Sequence, residues 1–177
     1  RLSRMNTPMR LLAFVVPFAV IGSVLAYSSW AAPPAGGKHG GGTSTPNLTL
    51  NPASARVPMS SPLSVQIWAN TNGQNVNAVQ ANLTYPIDKL NFVNLDFTNS
   101  AFGLAVQGDG GNGQIRIARG NFTPVSGNLL VATINFTGAN NRGKANVSFS
   151  TGTALISATD NTNILAGTYG GTYSLTQ

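Results

Sequence analysis

Apolar residues recur at every second position in four separate stretches of this sequence, and that period admits strands and little else. Leu63, Val65, Ile67 and Ala69 alternate with Ser64, Gln66, Trp68 and Asn70, and Val79, Ala81, Leu83 and Tyr85 alternate with Gln80, Asn82 and Thr84. Leu130, Ala132, Ile134 and Phe136 alternate with Val131, Thr133 and Asn135, and Ala145, Val147 and Phe149 with Asn146 and Ser148. Successive side chains on a strand point to opposite faces, so each stretch predicts a strand with one buried and one wet face. Turn formers separate them: Asn72-Gly73, the run Gly108 to Gly113, Ser126-Gly127-Asn128, Asn141-Arg142-Gly143 and Gly170-Gly171. Pro52, Pro58, Pro62, Pro86 and Pro124 fall at the ends of the runs, where a missing N–H breaks no ladder, and they make Leu48 to Val57 an interrupted edge strand. A helical alternative fails on composition: charged residues are 8% of the 177 and glutamate is absent, so no solvated helix face can be built. The expectation for residues 47–177 is an all-β sandwich or jelly roll.

Residues 1–46 follow a different grammar. Arg1, Arg4 and Arg10 precede an uncharged apolar run, Leu11 to Tyr27, and Ser29-Trp30-Ala31 gives a small-x-small signal before Ala32-Pro33. Residues 1–31 therefore read as a signal peptide or as a retained apolar helix anchoring the chain in a membrane through residues 11–27, and in both cases the rest is exported to the cell surface or the medium. Residues 32–46, rich in Gly and Pro, read as a flexible linker. Beyond Ala31 seven basic residues face four aspartates, scattered along the chain with no cluster, so the counterion-release term that drives nucleic-acid binding is missing. Zero cysteines excludes disulfides, thiol catalysis and thiolate metal sites.

The same chemistry argues against an enzyme. The only histidine, His39, lies in the linker, and the remaining acids are Asp88, Asp96, Asp109 and Asp160, with no spacing that pairs two carboxylates. No cofactor is implied. Calcium is the one metal the oxygen ligands would suit, through Asp109 in the Gly-rich run or Asp160 and Asn163 near the C-terminus, although Asp, Asn and Gly are also what turns require for their own backbone reasons. The outward positions Gln80, Asn82, Thr84 and Arg116, polar and almost uncharged, suit a protein-binding sheet face. Trp68, with Tyr169 and Tyr173, offers aromatic rings for a glycan alternative.

The order of segments resembles cohesin modules of bacterial and archaeal surface proteins, which are related to carbohydrate-binding modules of cellulase scaffolds. The resemblance is carried by Ala78 to Tyr85 (AVQANLTY) with Leu90-Asn91-Phe92, by Gly127 to Phe136 (GNLLVATINF), and by Gly152 to Leu165 (GTALISATDNTNIL). It implies a nine-stranded jelly-roll sandwich that binds another protein through one sheet face; in cellulase complexes that partner is a calcium-loaded dockerin. The sequence departs from the dockerin-binding pattern: Ala78 and Gln80 stand where Asn and Asp are frequent, and Pro86 follows Tyr85 directly in place of Asp-Pro. Three uses are consistent with these residues: recognition of another surface protein or of a second copy, glycan adhesion, and display on a pilin-like filament built from a retained N-terminal helix.

Overall fold

The computed structural model describes residues 45–177; the signal or anchor segment, and with it the N-terminal helix and membrane contact, lies outside the described residues, as does most of the linker. Twelve strands make up the described part: β1 (Asn47–Asn51), β2 (Ser54–Pro58), β3 (Pro62–Asn70), β4 (Val76–Thr84), β5 (Leu90–Asp96), β6 (Leu104–Gly111), β7 (Gln114–Val125), β8 (Asn128–Gly138), β9 (Gly143–Phe149), β10 (Ala154–Ser157), β11 (Gly167–Tyr169) and β12 (Gly171–Thr176). They form two sheets, one of five strands in the order β11-β1-β3-β8-β5 and one of seven in the order β2-β12-β9-β4-β7-β6, with β10 paired to β4. The all-β sandwich expected from the alternation is present, with no helix among the described residues.

The described residues form twelve strands where nine were expected, and two of the three additional strands come from a change of sheet made twice. Leu48 to Val57 is indeed interrupted at Pro52, but β1 stays in the five-stranded sheet, internal between β11 and β3, while β2 crosses to become an edge of the other sheet. The C-terminal segment makes the same crossing at Gly170, so that β1 pairs β11 and β2 pairs β12, both parallel. Gly170-Gly171 is thus a crossing point and no hairpin turn. A Cβ at Gly170 would run into the Val147 carbonyl oxygen, so only glycine passes there.

The core lies where the alternation puts it. Leu48 and Leu50 of β1, Leu63, Val65, Ile67 and Ala69 of β3, and Ala132, Ile134 and Phe136 of β8 meet Val79, Ala81 and Leu83 of β4, Ile115 and Ile117 of β7, and Ala145 and Val147 of β9, all buried. One parity differs from expectation. β8 carries an extra residue opposite the Ile67–Trp68 step, so Leu129 and Val131 enter the core and Leu130 turns outward beside Trp68.

The Gly-rich run also differs. Gly108 to Gly111 belongs to β6, and only Asn112-Gly113 turns the chain into β7. The glycines are there for packing: a Cβ at Gly108 would meet Phe97 at 2.9 Å, and one at Gly110 would meet Phe92 at 2.6 Å. Phe92 in turn lies edge-on to Phe136, 6.5 Å between centroids, and Phe136 to Tyr85, 5.2 Å. Bare β6 backbone is what lets the β5 rings seat. Gly110→Ala should therefore lower the unfolding free energy by about 1–3 kcal/mol through overpacking. Phe92→Leu in the same chain should recover part of that loss in urea denaturation, and strictly additive losses would show that ring and glycine do not meet.

Candidate functional site

The residues singled out for partner binding come together on the outer face of the seven-stranded sheet. Leu83 and Val79 face the core, so Gln80, Asn82 and Thr84 point outward, and across β7 they stand opposite Ala118, Arg116 and Gln114 respectively. β6 continues the rows, with Asp109 opposite Arg116 and Gln107 opposite Ala118. Asn82, Thr84, Gln114, Arg116, Ser150 and Thr151 line a shallow depression of about 290 Å³. Gln80 lies one row beyond it, opposite Ala154 of β10.

The depression is held in shape by the β9–β10 loop. Asn82 Nδ2 donates to the Thr151 carbonyl at 3.1 Å, the Asn82 N–H donates to Thr153 Oγ1 at 3.2 Å, and the Ser150 N–H donates to the Asn82 carbonyl at 2.8 Å. Asn82 is therefore a clamp between β4 and this loop. Arg116 donates to Gln114 Oε1 at 2.9 Å, while Asp109 accepts from Gln107 Nε2 at 2.9 Å. The only salt bridge among the described residues joins Lys89 to Asp88, so Arg116 lines the depression without an ion pair, with Asp109 as its cross-strand neighbour on β6.

Toward the other end of the face the rows become apolar. Ile156, Ala78, Gly120 and Leu104 are consecutive partners across β10, β4, β7 and β6. Beyond Gly120 the β4–β7 register jumps to Val76 opposite Val125, which frees Asn121 to Pro124 from the ladder. Asn121 ties this excursion down, accepting from the Gly103 N–H at 2.7 Å and donating to the Ala101 carbonyl at 2.6 Å. Phe122 follows it and is 90% exposed. Sequence reasoning missed Phe122, because nothing in Asn-Phe-Thr-Pro announces that the chain leaves the ladder there.

Arg119 was also missed. It is the one buried basic residue of the described part, its Nε donating to the Phe102 carbonyl at 2.8 Å and its guanidinium carbon 4.2 Å from the centroid of the Phe97 ring. Burial lowers its pKa from the ordinary arginine value.

The calcium candidates separate. Asp109 is in a strand, not a loop, with its carboxylate on Gln107. Asn163 Oδ1 accepts from the backbone N–H groups of Leu155 and Leu165, both at 3.0 Å, and is used up as a loop clasp. Asp160 accepts from the Thr162 N–H and hydroxyl, and hydrogen bonds from the Ser157 and Thr162 side chains hold its carboxyl below the usual value. Asp88 lies in the turn before β5 and Asp96 at its end, so the four aspartates occupy four different elements.

The aromatic candidates divide likewise. Trp68 and Tyr169 both stand opposite Thr49, on the outer face of the five-stranded sheet. Tyr173 does not join them: after the crossing at Gly170 it faces the core, fully buried, with its hydroxyl donating to the Pro52 carbonyl at 2.7 Å.

With the geometry in hand, the likeness to known proteins is one of fold. No family model matches the chain, and no curated protein matches it in sequence. Among solved structures it is similar to a non-cellulosomal cohesin from the hyperthermophilic archaeon Archaeoglobus fulgidus, at 19% identity and a TM-score of 0.59 over 76% of this chain and 93% of that one. It is similar to the third ScaB cohesin of Ruminococcus flavefaciens, solved in complex with a group 1 dockerin, at 12% identity and a TM-score of 0.59 over 73% and 95%. A cohesin module from a Clostridium perfringens family 33 glycoside hydrolase gives 13% and 0.58 over 75% and 96%. The described module has the cohesin fold, as the sequence resemblance implied.

Burial pushes the Tyr173 phenol up to about 12, from an ordinary value near 10. A raised folded pKa means that the fold prefers the protonated phenol, so this contribution is complete below about pH 10 and is lost as pH rises toward about 12. Urea midpoints should fall over that window, and Tyr173→Phe, less stable at neutral pH through the unpaired Pro52 carbonyl, should fall less steeply. An equally steep fall in the variant would show that another group is responsible.

Proposed function

We propose that this is a non-catalytic recognition module, exported by its N-terminal segment and working at the cell surface, that binds another protein through the outer face of its seven-stranded sheet. The observation that carries the reading is the composition of that face. A row of small and aliphatic residues, Ile156-Ala78-Gly120-Leu104, lies two rows from the polar row containing Asn82, Arg116 and Asp109, and Phe122 projects from the same sheet. An apolar strip flanked by polar groups, with an arginine and an exposed aromatic ring at its ends, is the layout from which binding hot spots are made. The dockerin complex of the R. flavefaciens cohesin supports protein binding as a use of this fold. Here, however, Ala78 and Gln80 replace the polar pair common in dockerin readers. The partner we infer is accordingly one that presents a carboxylate to Arg116 and an apolar socket to Phe122. Dispersal of the four aspartates supports a role without catalysis.

A photo-crosslinking side chain at Phe122 of the full chain, expressed in the producing cell, should yield one discrete protein adduct, identified by mass spectrometry. The same group at Ser64, exposed on β3 in the other sheet, should not yield it. With the captured partner in hand, Phe122→Ala and Arg116→Ala should each weaken binding about tenfold or more. No adduct from Phe122, or affinity indifferent to both substitutions, would overturn the reading.

A further inference from the structure

The opposite face of the sandwich carries a second surface of different character. Along β1 the buried Leu48 and Leu50 leave Thr49 outward, and its cross-strand neighbours on either side are Tyr169 of β11 and Trp68 of β3. Adjacent strands are about 4.8 Å apart, so the two aromatic residues sit about 10 Å apart across the sheet with a hydroxyl between them.

Both rings are held along their strands. A Cβ on Gly167 would lie 3.4 Å from the Tyr169 hydroxyl and 3.6 Å from ring carbons, so the tyrosine ring lies over the bare backbone of Gly167 and remains 59% exposed. The Trp68 indole N–H donates to Gln66 Oε1 at 3.0 Å, which fixes the indole over its own strand. Next to Trp68 opens a recess of about 440 Å³ whose polar lining is Thr49, Asn51 and Asn128.

The surrounding chemistry is neutral. Outward neighbours in the flanking rows are Asn47, Asn70 and Asn128 on one side and Asn51, Gln66 and Thr133 on the other, and the nearest charge in those rows, Asp96, is two strands from Trp68. A protein interface would gather its aromatic rings into a contiguous dry core. Here the rings are separated, with Leu130 beside Trp68 in their own row and amides and hydroxyls filling the rows on either side. That layout suits a ligand that offers flat C–H faces at intervals and hydroxyls in between, as a chain of pyranose rings does. We propose that the outer face of the five-stranded sheet binds a neutral glycan chain, with Trp68 and Tyr169 stacking on sugar rings and the Asn/Gln/Thr rows taking the hydroxyls. This site is independent of the protein-binding face on the other sheet.

The test is affinity electrophoresis of the full chain through gels containing β-glucan, xylan or mannan, with heparin as the charged control, and sedimentation with insoluble cellulose and chitin. Retention by at least one neutral polymer is expected, insensitive to added salt. Trp68→Ala and Tyr169→Ala should each weaken it tenfold or more, Trp68→Phe should weaken it less, and Arg116→Ala should leave it unchanged. The exposed Tyr169 keeps the test open should Trp68→Ala fail to fold, which circular dichroism would reveal. No retention by any neutral polymer, retention by heparin alone, or retention unaffected by both ring substitutions would overturn the proposal. So would a change of oligomeric state on Tyr169→Ala without any glycan binding, since the face would then serve a second copy of the chain.

Discussion

The sandwich depends on two chain segments changing sheets side by side. At Pro52-Ala53 and at Gly170 the N-terminal and C-terminal parts of the module leave the five-stranded sheet together and enter the seven-stranded one, parallel throughout. The crossing exposes backbone groups that no ladder can satisfy, and burial makes that costly. Two bonds answer it: the Thr172 N–H donates to the Ala53 carbonyl at 2.9 Å, and the Tyr173 hydroxyl donates to the Pro52 carbonyl at 2.7 Å. Glycine at 171 leaves the space that the Tyr173 hydroxyl fills, since a Cβ there would strike it. In a chain without cysteine this knot of hydrogen bonds and packing joins sequence-distant ends as a cross-link would.

The crossing also decides what the outer surfaces are. Because β11 remains behind in the five-stranded sheet, Tyr169 comes to lie beyond Thr49 from Trp68 and faces water. Four residues on, after the change of sheet, Tyr173 faces inward. In an uninterrupted strand the two would share a face. One break at Gly170 therefore assigns one tyrosine to the surface and the other to the core.

That break explains which parts of the structure could be read from sequence. The buried and outward sides of β3 and β4 were legible, because their alternation runs unbroken from Leu63 to Ala69 and from Val79 to Leu83, and a one-residue slip would have put every apolar side chain in water; the start of β4 at Val76, ahead of a register shift, was not. β8 was legible only from Ala132 onward, since the bulge at Val131 reverses the parity before it and a bulge has no composition of its own. Gly108 to Gly111 resembled a turn because glycine serves both turns and close packing. Only the positions of Phe92 in β5 and Phe97 just after it, brought against β6 from the other sheet, reveal which role applies. The outward placement of Gln80, Asn82 and Thr84 could be read because parity along β4 is a local property. Phe122 was not, because its exposure comes from a register jump between β4 and β7, and that is a property of two strands at once.

The weak sequence likeness to solved cohesins, 19% or less in the three described, and the agreement in fold have one physical cause. What the fold requires is alternation on the inner faces, glycine where rings or carbonyls come close, and the double crossing; it requires almost nothing of the outward positions. Ala78 and Gln80 show this. They face away from the core opposite Gly120 and Ala118, and either side chain can be small or polar without disturbing the layer beneath. Selection on partners therefore acts where the fold is indifferent, and a shared sandwich carries no shared partner with it. The same freedom lets the two faces diverge within one molecule. The seven-stranded sheet grades from aliphatic to charged around Arg116, while the five-stranded sheet keeps separated rings among uncharged neighbours, Thr49 and Leu130 in their row and amides and Thr133 beside it. Each composition is the ground for the ligand proposed for its face, a protein surface with an apolar centre and an acid for the first and a neutral glycan for the second.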